Sequence, residues 1–385
     1  MAVNLPPLQK NGDQKKEQDS FIGKKPLTLI DKLNDQLLKF SRVPLKEKLF
    51  FVQHLGIMLK AGISLSVALK TLSLQTVNKY FIKILTEVSE KVEKGSTFAD
   101  SLKLYPKIFG ELFISMIEAG EISGKLEEVL NQLYIQMKKE HKLISKVKGA
   151  LTYPAVIILA MFGIGTFLMI VVVPKITSMF KEFNAELPLP TKILIAFSNA
   201  LANNGLISLF IFLSLVVIIV KILKTHKGKY LFQALLLKLP IISPIIKKIN
   251  LARFARNISS LLKTDIMIIK SFQITASVLG NLHYRKAIED MAQKIKKGGK
   301  LNEVIKINPK LFSPVVAQMV AVGEETGELD NILLELAEFY EEEVDQIMEN
   351  LPAIIEPLLI LFLGVGVGGV AVSIIMPMYS ITTSI

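Results

Sequence analysis

The spacing that most invites a chemical reading is Gly120-Glu-Ile-Ser-Gly-Lys125, two glycines followed by a lysine. A phosphate-cradling loop needs four residues between its glycines, Ser or Thr after the lysine, and a strand leading in. Here three residues intervene, Leu126 follows the lysine, and no strand-like alternation precedes it. A second copy, Gly323-Glu-Glu-Thr-Gly-Glu328, puts a carboxylate where the lysine stood, which would repel phosphate. The carboxylates Glu121, Glu324, Glu325 and Glu328 offer hard oxygen ligands for a cation if two domains bring them together; a solvated loop or a protein contact is the plainer expectation. The four histidines, His54, His141, His226 and His283, share no metal-ligand spacing, and His54, on an apolar face, reads as a core residue. The chain has no cysteine, which excludes thiol catalysis, disulfides and thiolate metal sites. The sequence thus points to no catalytic residue, no cofactor and no metal ligand.

The motif belongs to a long internal repeat. An offset of 203 positions carries Met116 to Leu126 onto Met319 to Leu329. The same offset carries Phe51 onto Phe254, Pro106 onto Pro309, Phe109 onto Phe312, Pro154 onto Pro357 and Pro174 onto Pro377, with no gap. A repeat of that length is a domain with its appendage, not a short solenoid unit. Each motif reads as a tight corner between two helices. Gly120 and Gly323 are expected to take positive φ and end the first helix. Ser123 and Thr326 are expected to cap the second, leaving Glu121 and Glu324 to project from a loop, open to contacts.

The elements that position these corners are helical by pattern. The predicted fold class is all-α: two six-helix bundles, residues 44–150 and 251–350, combined with three transmembrane helices. The first helix of the first bundle stops at Gly62, whose counterpart is Asp265. Uncharged apolar runs place the crossings at 151–174, 205–223 and 354–377. Pro154 and Pro357 stand at the entries of the first and third, where a helix can kink, and Glu356 lies at the boundary, either solvent-facing or an intramembrane carboxylate. Gly364, Gly366, Gly368 and Gly369 suit close helix approach in lipid. Residues 175–204 read as a short external loop, 224–250 as a basic linker with a docking segment, and 378–385 as an external tail. The polar residues 1–20 lack the apolar core of a signal peptide. Within the arm 1–43, residues 26–40 have the spacing of an amphipathic helix that docks on its own domain or on a partner.

Charge refines the picture. The net charge is +12, yet residues 47–150 carry 15 basic and 11 acidic residues while residues 251–350 carry 12 and 15. Lys221, Lys224, Lys227 and Lys229 follow the second crossing directly, a positive-inside signal that argues topology and not nucleic-acid binding. Both bundles and the N-terminus are therefore expected inside and the C-terminus outside. On helix six the run Lys138 to Lys142 in one copy faces Glu341 to Asp345 in the other. Such runs are either solvated faces or an electrostatic pairing of the two bundles, or of each with a partner.

The stretches 49–69, 116–130 and 319–333, with a crossing after each bundle, resemble the PilC/GspF family of polytopic inner-membrane platform proteins of type IV pilus and type II secretion machines. The resemblance covers roughly residues 45–377. It implies two GspF-type cytoplasmic domains, places the family's corner glycines and acids on Gly120, Glu121, Gly124, Gly323, Glu324 and Gly327, and its membrane-entry proline on Pro154 and Pro357. It also implies a non-enzymatic scaffold that works with a cytoplasmic hexameric assembly or retraction ATPase, with major and minor pilins or pseudopilins, with other inner-membrane assembly proteins, and as a homo-oligomer. Pilus assembly is the favoured reading and the equivalent platform of a type II secretion system the alternative. An oligomeric transporter or channel would want polar residues along its spans, which are almost purely apolar. A membrane-tethered signalling bundle would want a repeated phospho-acceptor histidine, and neither His54 nor His141 recurs in the second copy.

Overall fold

The computed structural model describes residues 43–182 and 188–382. The expected helix at 26–40 lies outside them. Among the described residues every regular element is helical. The first bundle comprises α1 (Leu45–Lys60), α2 (Leu65–Gln75), α3 (Lys79–Glu93), α4 (Phe98–Lys103), α5 (Pro106–Ser123) and the first half of α6 (Leu126–Phe167). Its core is a cluster of rings, with Phe51 and Phe81 edge-to-face at 5.6 Å and Phe109 tilted against both. The second bundle repeats the plan with α11 (Ile242–Leu262), α12 (Ile268–Val278), α13 (Leu282–Lys296), α14 (Leu301–Lys306), α15 (Pro314–Thr326) and α16 (Leu329–Thr382). Phe254 and Phe312 stand where Phe51 and Phe109 stood, and Tyr284 takes the place of Phe81. A buried phenol needs a partner; Tyr284 donates to the carbonyl of Leu311 at 2.7 Å, and burial pushes its pKa above the usual range.

Among the described residues three helices are long and apolar enough to cross a membrane, and two of them begin inside the bundles. The prolines at the membrane entries, read as places where a helix can kink, end neither helix. α6 runs unbroken through Pro154 and continues through a π-helical turn, Leu168–Val172, into α7 (Val173–Glu182). α16 is a single helix of 54 residues, roughly 80 Å at 1.5 Å per residue. A proline removes one donor from the ladder without ending a helix when neighbouring groups hold both sides. Pro154 is buried and Pro357 exposed. The second crossing is α9 (Gly205–Lys224), followed by α10 (His226–Leu236), which docks on the second bundle through Gln233. Its side-chain amide donates to the Gly280 carbonyl at 3.2 Å and accepts from the Leu282 N–H at 2.8 Å.

The segment expected as an external loop, 175–204, is largely helical. α7 reaches Glu182, and α8 (Leu189–Asn203) returns along the ends of the first and third crossings. Small hydroxyls fasten it: Thr191 donates to the Ser373 carbonyl at 2.7 Å and Ser198 to the Met169 carbonyl at 2.6 Å. With Pro188 and Pro190 breaking the chain, the apolar run beyond them had enough length for one more short helix. A side chain at Gly364, Gly366, Gly368 or Gly369 would meet open space; among the described residues nothing packs against that face.

Candidate functional site

The corner differs from its sequence expectation in how each residue works. Gly120 is helical and buried, and α5 continues past it to Ser123. A Cβ at Gly120 would stand 2.8 Å from Val129 Cγ2, and one at Gly323 would stand 3.0 Å from Leu329 Cα. These glycines are therefore close-approach positions that let the corner fold flat onto helix six. The left-handed ends belong to the second glycines, Gly124 at φ 71° and Gly327 at φ 78°. Ser123 and Thr326 do not cap the following helix as expected. Thr326 donates back to the Val322 carbonyl at 2.8 Å, and Ser123 lies 3.5 Å from the Gly120 carbonyl.

Because α5 extends past Gly120, Glu121 sits on a helix and not in a loop. It reaches across to the N-terminus of α4, accepting from the Phe98 N–H at 2.7 Å and the Ala99 N–H at 3.0 Å. Glu324 repeats this on α14, accepting from Leu301 N–H at 3.0 Å and Asn302 N–H at 3.2 Å. Each carboxylate satisfies two N–H groups that a helix start leaves unpaired, and its charge meets the positive end of the helix dipole. The corner acid is a clasp between two helices of its own bundle. That role engages both oxygens of Glu121 and of Glu324 within their own bundles, and among the described residues no group of three His, Asp or Glu side chains is placed to hold a metal. His54 is half-buried on the outer face of α1, stacked on Phe50 with ring centroids 3.9 Å apart, and is not a core residue.

The first corner of each bundle is also a left-handed turn. Gly62 takes φ 79°, and Asp265 takes φ 58° in the same place, the one non-glycine with positive φ among the described residues. The backbone bonds agree: Gly62 N–H to Leu59 O and Ile63 N–H to Met58 O in one copy, Asp265 N–H to Leu262 O and Ile266 N–H to Leu261 O in the other. Aspartate tolerates this region better than most residues. Its carboxylate also has a task, since Oδ2 lies 3.1 Å from Lys125 Nζ at the first bundle's second corner.

That ion pair marks the edge of an interface between the two bundles. At its centre Gln136 donates to Asn257 at 2.6 Å and accepts from Ser260 at 3.1 Å, while Gln132 donates to Ser260 at 3.2 Å. Leu261 and Ile274 of the second bundle complete the first bundle's apolar core. Arg253 forks onto Glu140 at 2.6 and 3.2 Å. Within the second bundle, Arg256, its side chain 6% exposed, donates to Glu341 at 2.8 Å, and its Nη2 lies 3.7 Å from Glu338, within ion-pair range but beyond a hydrogen bond.

The opposed charge runs meet here as well. Lys139 lies 3.3 Å from Glu341, Lys142 3.4 Å from Asp345, and Lys146 2.7 Å from Asp345 and 3.4 Å from Glu349. The pairing of the bundles is thus the reading the structure takes, over the solvated face. Partner numbers rise together along both helices, so α6 and α16 run parallel. Lys142 with Asp345 and Lys146 with Glu349 keep the repeat's own offset, so the two copies of helix six lie level. Below the ion pairs, Leu143, Val344, Met348 and Leu351 form a separate apolar cluster that carries the contact toward the membrane entries. The signal for this interface was present in the sequence as polar residues, Gln132 and Gln136, at inward positions of a helix. Their partners 121 to 128 residues away could not be read from spacing. Glu356 is exposed on α16, outside the interface.

Comparison with known proteins agrees with the repeat. The family model described as "Type II secretion system (T2SS), protein F" matches residues 51–174 and again residues 254–377. The type IV pilus assembly protein PilC of Myxococcus xanthus is 35% identical over 346 residues, covering 90% of this chain and 83% of that protein. PilC of Thermus thermophilus is 36% identical over 337 residues, 88% of this chain and 83% of its own length. The type II secretion system protein F of Aeromonas hydrophila is 29% identical over 339 residues, 88% and 87%. Matched twice at the spacing of its own repeat, this membrane protein belongs to the family of protein F of the type II secretion system.

Proposed function

We propose that the chain is the inner-membrane platform of a type IV pilus assembly machine, coupling a cytoplasmic hexameric ATPase to the insertion or removal of pilins. One observation carries the mechanical part: the last helix of each bundle is also a membrane crossing, with no break between. A turn or tilt of either bundle is delivered to the bilayer by a rigid rod. The interface between the bundles ties the two rods together, so they move as one body. On this reading the chain does no catalysis and takes its energy from the ATPase. The bundles and the N-terminus face the cytoplasm and the C-terminus faces outward, as the lysines after α9 favour. Pilins, other inner-membrane assembly proteins and further copies of the chain are its partners in the membrane.

The pilus role is preferred over pseudopilus assembly because the relatives named for pilus assembly match at higher identity than the secretion protein compared above. Removing the chain from its cell separates the two. Loss of surface pili with the major pilin still present supports the first; loss of a secreted substrate with pili intact supports the second. Photo-crosslinking from each bundle during ATPase turnover tests the coupling, and absence of an ATPase product from both bundles would exclude it.

A further inference from the structure

The two bundles of one chain do not meet as mirror partners. The second offers α11 and α12; the first receives them on α5 and α6. In a two-fold arrangement α16 would receive α1 in the same way. Instead Gln136 is 6% exposed, while its repeat counterpart Phe339 is 49% exposed. Ser260 is fully buried, while its counterpart Ile57 is 56% exposed. A heterologous contact of this kind leaves one unused half at each end. The unused offering half is the α1–α2 face of the first bundle, with Ile57, Phe50 and Ile63 exposed. The unused receiving half is the α15–α16 face of the second, with Phe339 and Val322 exposed.

We propose that these two halves bind each other between chains, so that the first bundle of one copy docks on the second bundle of the next by the contact already made within each chain. The complementarity is plainest at the central pair. Within the chain Gln136 meets Ser260, polar on polar. The same geometry between chains sets Phe339 against Ile57, apolar on apolar. Both members of the pair have changed character together, and each is a large apolar side chain on a face that water otherwise covers. Charge agrees, since the offering bundle is net basic and the receiving bundle net acidic.

The membrane permits the operation. Ion pairs at the repeat offset hold α6 and α16 parallel and level, so the step from one bundle to the next moves within the bilayer plane and adds each new crossing at the same depth. Lipid is not the occupant. α1 packs at Gly56 against Leu130, whose Cβ a side chain at Gly56 would meet at 3.5 Å, and Leu130 lies roughly 35 Å of helix before the apolar run.

The proposal rests on the self-association included in the proposed function but not on the choice of filament. The cysteine-free sequence allows a direct test in membranes holding the full-length chain. Ile57→Cys and Phe339→Cys are placed on two differently tagged copies and treated with a short thiol crosslinker. The expected result is a mixed dimer, no product from either variant alone, and a ladder beyond dimer from the double variant. Gln132→Cys with Ser260→Cys, crosslinked within one chain, serves as the control.

With the control positive, three crosslinking patterns of the chain with itself would overturn the proposal. These are absence of the mixed dimer, self-crosslinking of Ile57→Cys alone as in a two-fold dimer, and a mixed dimer that forms only after residues 1–42 are removed, which would make that segment the occupant. Attachment of Phe339→Cys to a different protein in place of the mixed dimer would overturn it too. Native-gel mass separates the two levels: an oligomer without the mixed dimer sinks this contact and leaves self-association standing, whereas a monomer sinks both.

Discussion

Gln136 in the first bundle and Phe339 in the second hold the same place in the repeat, and so do Gly62 and Asp265. In the cores the copies agree at three ring positions, Phe51, Phe81 and Phe109 against Phe254, Tyr284 and Phe312. At the faces turned toward each other they diverge, and each divergence makes a contact or frees a surface. Asp265 occupies a left-handed turn that glycine fills without strain, and its carboxylate reaches Lys125. Arg253 replaces Phe50 and pairs with Glu140 across the interface, while Arg256 replaces Gln53 and ties α11 to Glu341 of its own bundle, which Lys139 reaches from the first. The comparison teaches that the core was kept as a scaffold while one copy's outer face became an inner one.

Four predictions probe that division. The largest effect belongs to Arg256→Leu, which leaves Glu341 in a half-buried site with only Lys139 to answer it. Breaking a buried pair on one side costs about 3 kcal/mol, read as a lower denaturant midpoint in detergent. Arg256→Leu with Glu341→Met restores most of it, and a double variant no better than the single would deny that the pair is the cause. Next come the close-approach glycines. Gly120→Ala and Gly323→Ala each cost about 2 kcal/mol by forcing helix six outward, whereas Gly149→Ala, whose Cβ meets nothing, is neutral. Equal behaviour at all three positions would remove the close-approach account.

The corner acids follow. Glu121→Ala and Glu324→Ala each lose two charge-assisted bonds at a helix start, about 1–2 kcal/mol, with faster amide exchange confined to α4 or α14 of the same bundle. Exchange spreading first into the other bundle would mean the acid is not a local clasp. The smallest effect is at Lys146→Glu, where exposed pairs are worth about 1 kcal/mol or less and weaken with salt. The variant and the parent should converge in thermal midpoint at high ionic strength. A salt-independent gap would show that the contact is not electrostatic.

Much of this was legible in the sequence because it rests on local rules. The offset of 203 positions, the helix-ending role of Gly62 and the three apolar runs all follow from composition and spacing. What was missed has one physical origin. Gly120 was read as a turn because glycine permits positive φ, yet here its use is the absence of a side chain, which depends on a helix nine residues later folding back. Glu121 was read as exposed because its helix was ended too soon. The Gln136 network and the polar docking face of α11 depend on how two domains meet, and no period or cap encodes that. The segment 175–204 was read as a loop because its prolines and charges outweighed the short apolar run after them.

The central claim is that the two bundles stand side by side with their last helices parallel, level and continuous into the membrane. Paired spin labels in the cysteine-free chain measure it directly, one pair at Lys138 and Glu342 and another at Lys148 and Asn350, all exposed. Adjacent parallel helices about 10 Å apart predict two similar label distances, each below about 30 Å in membranes. Distances that differ by more than a helix diameter between the two levels, or that exceed about 50 Å at either, would contradict the account.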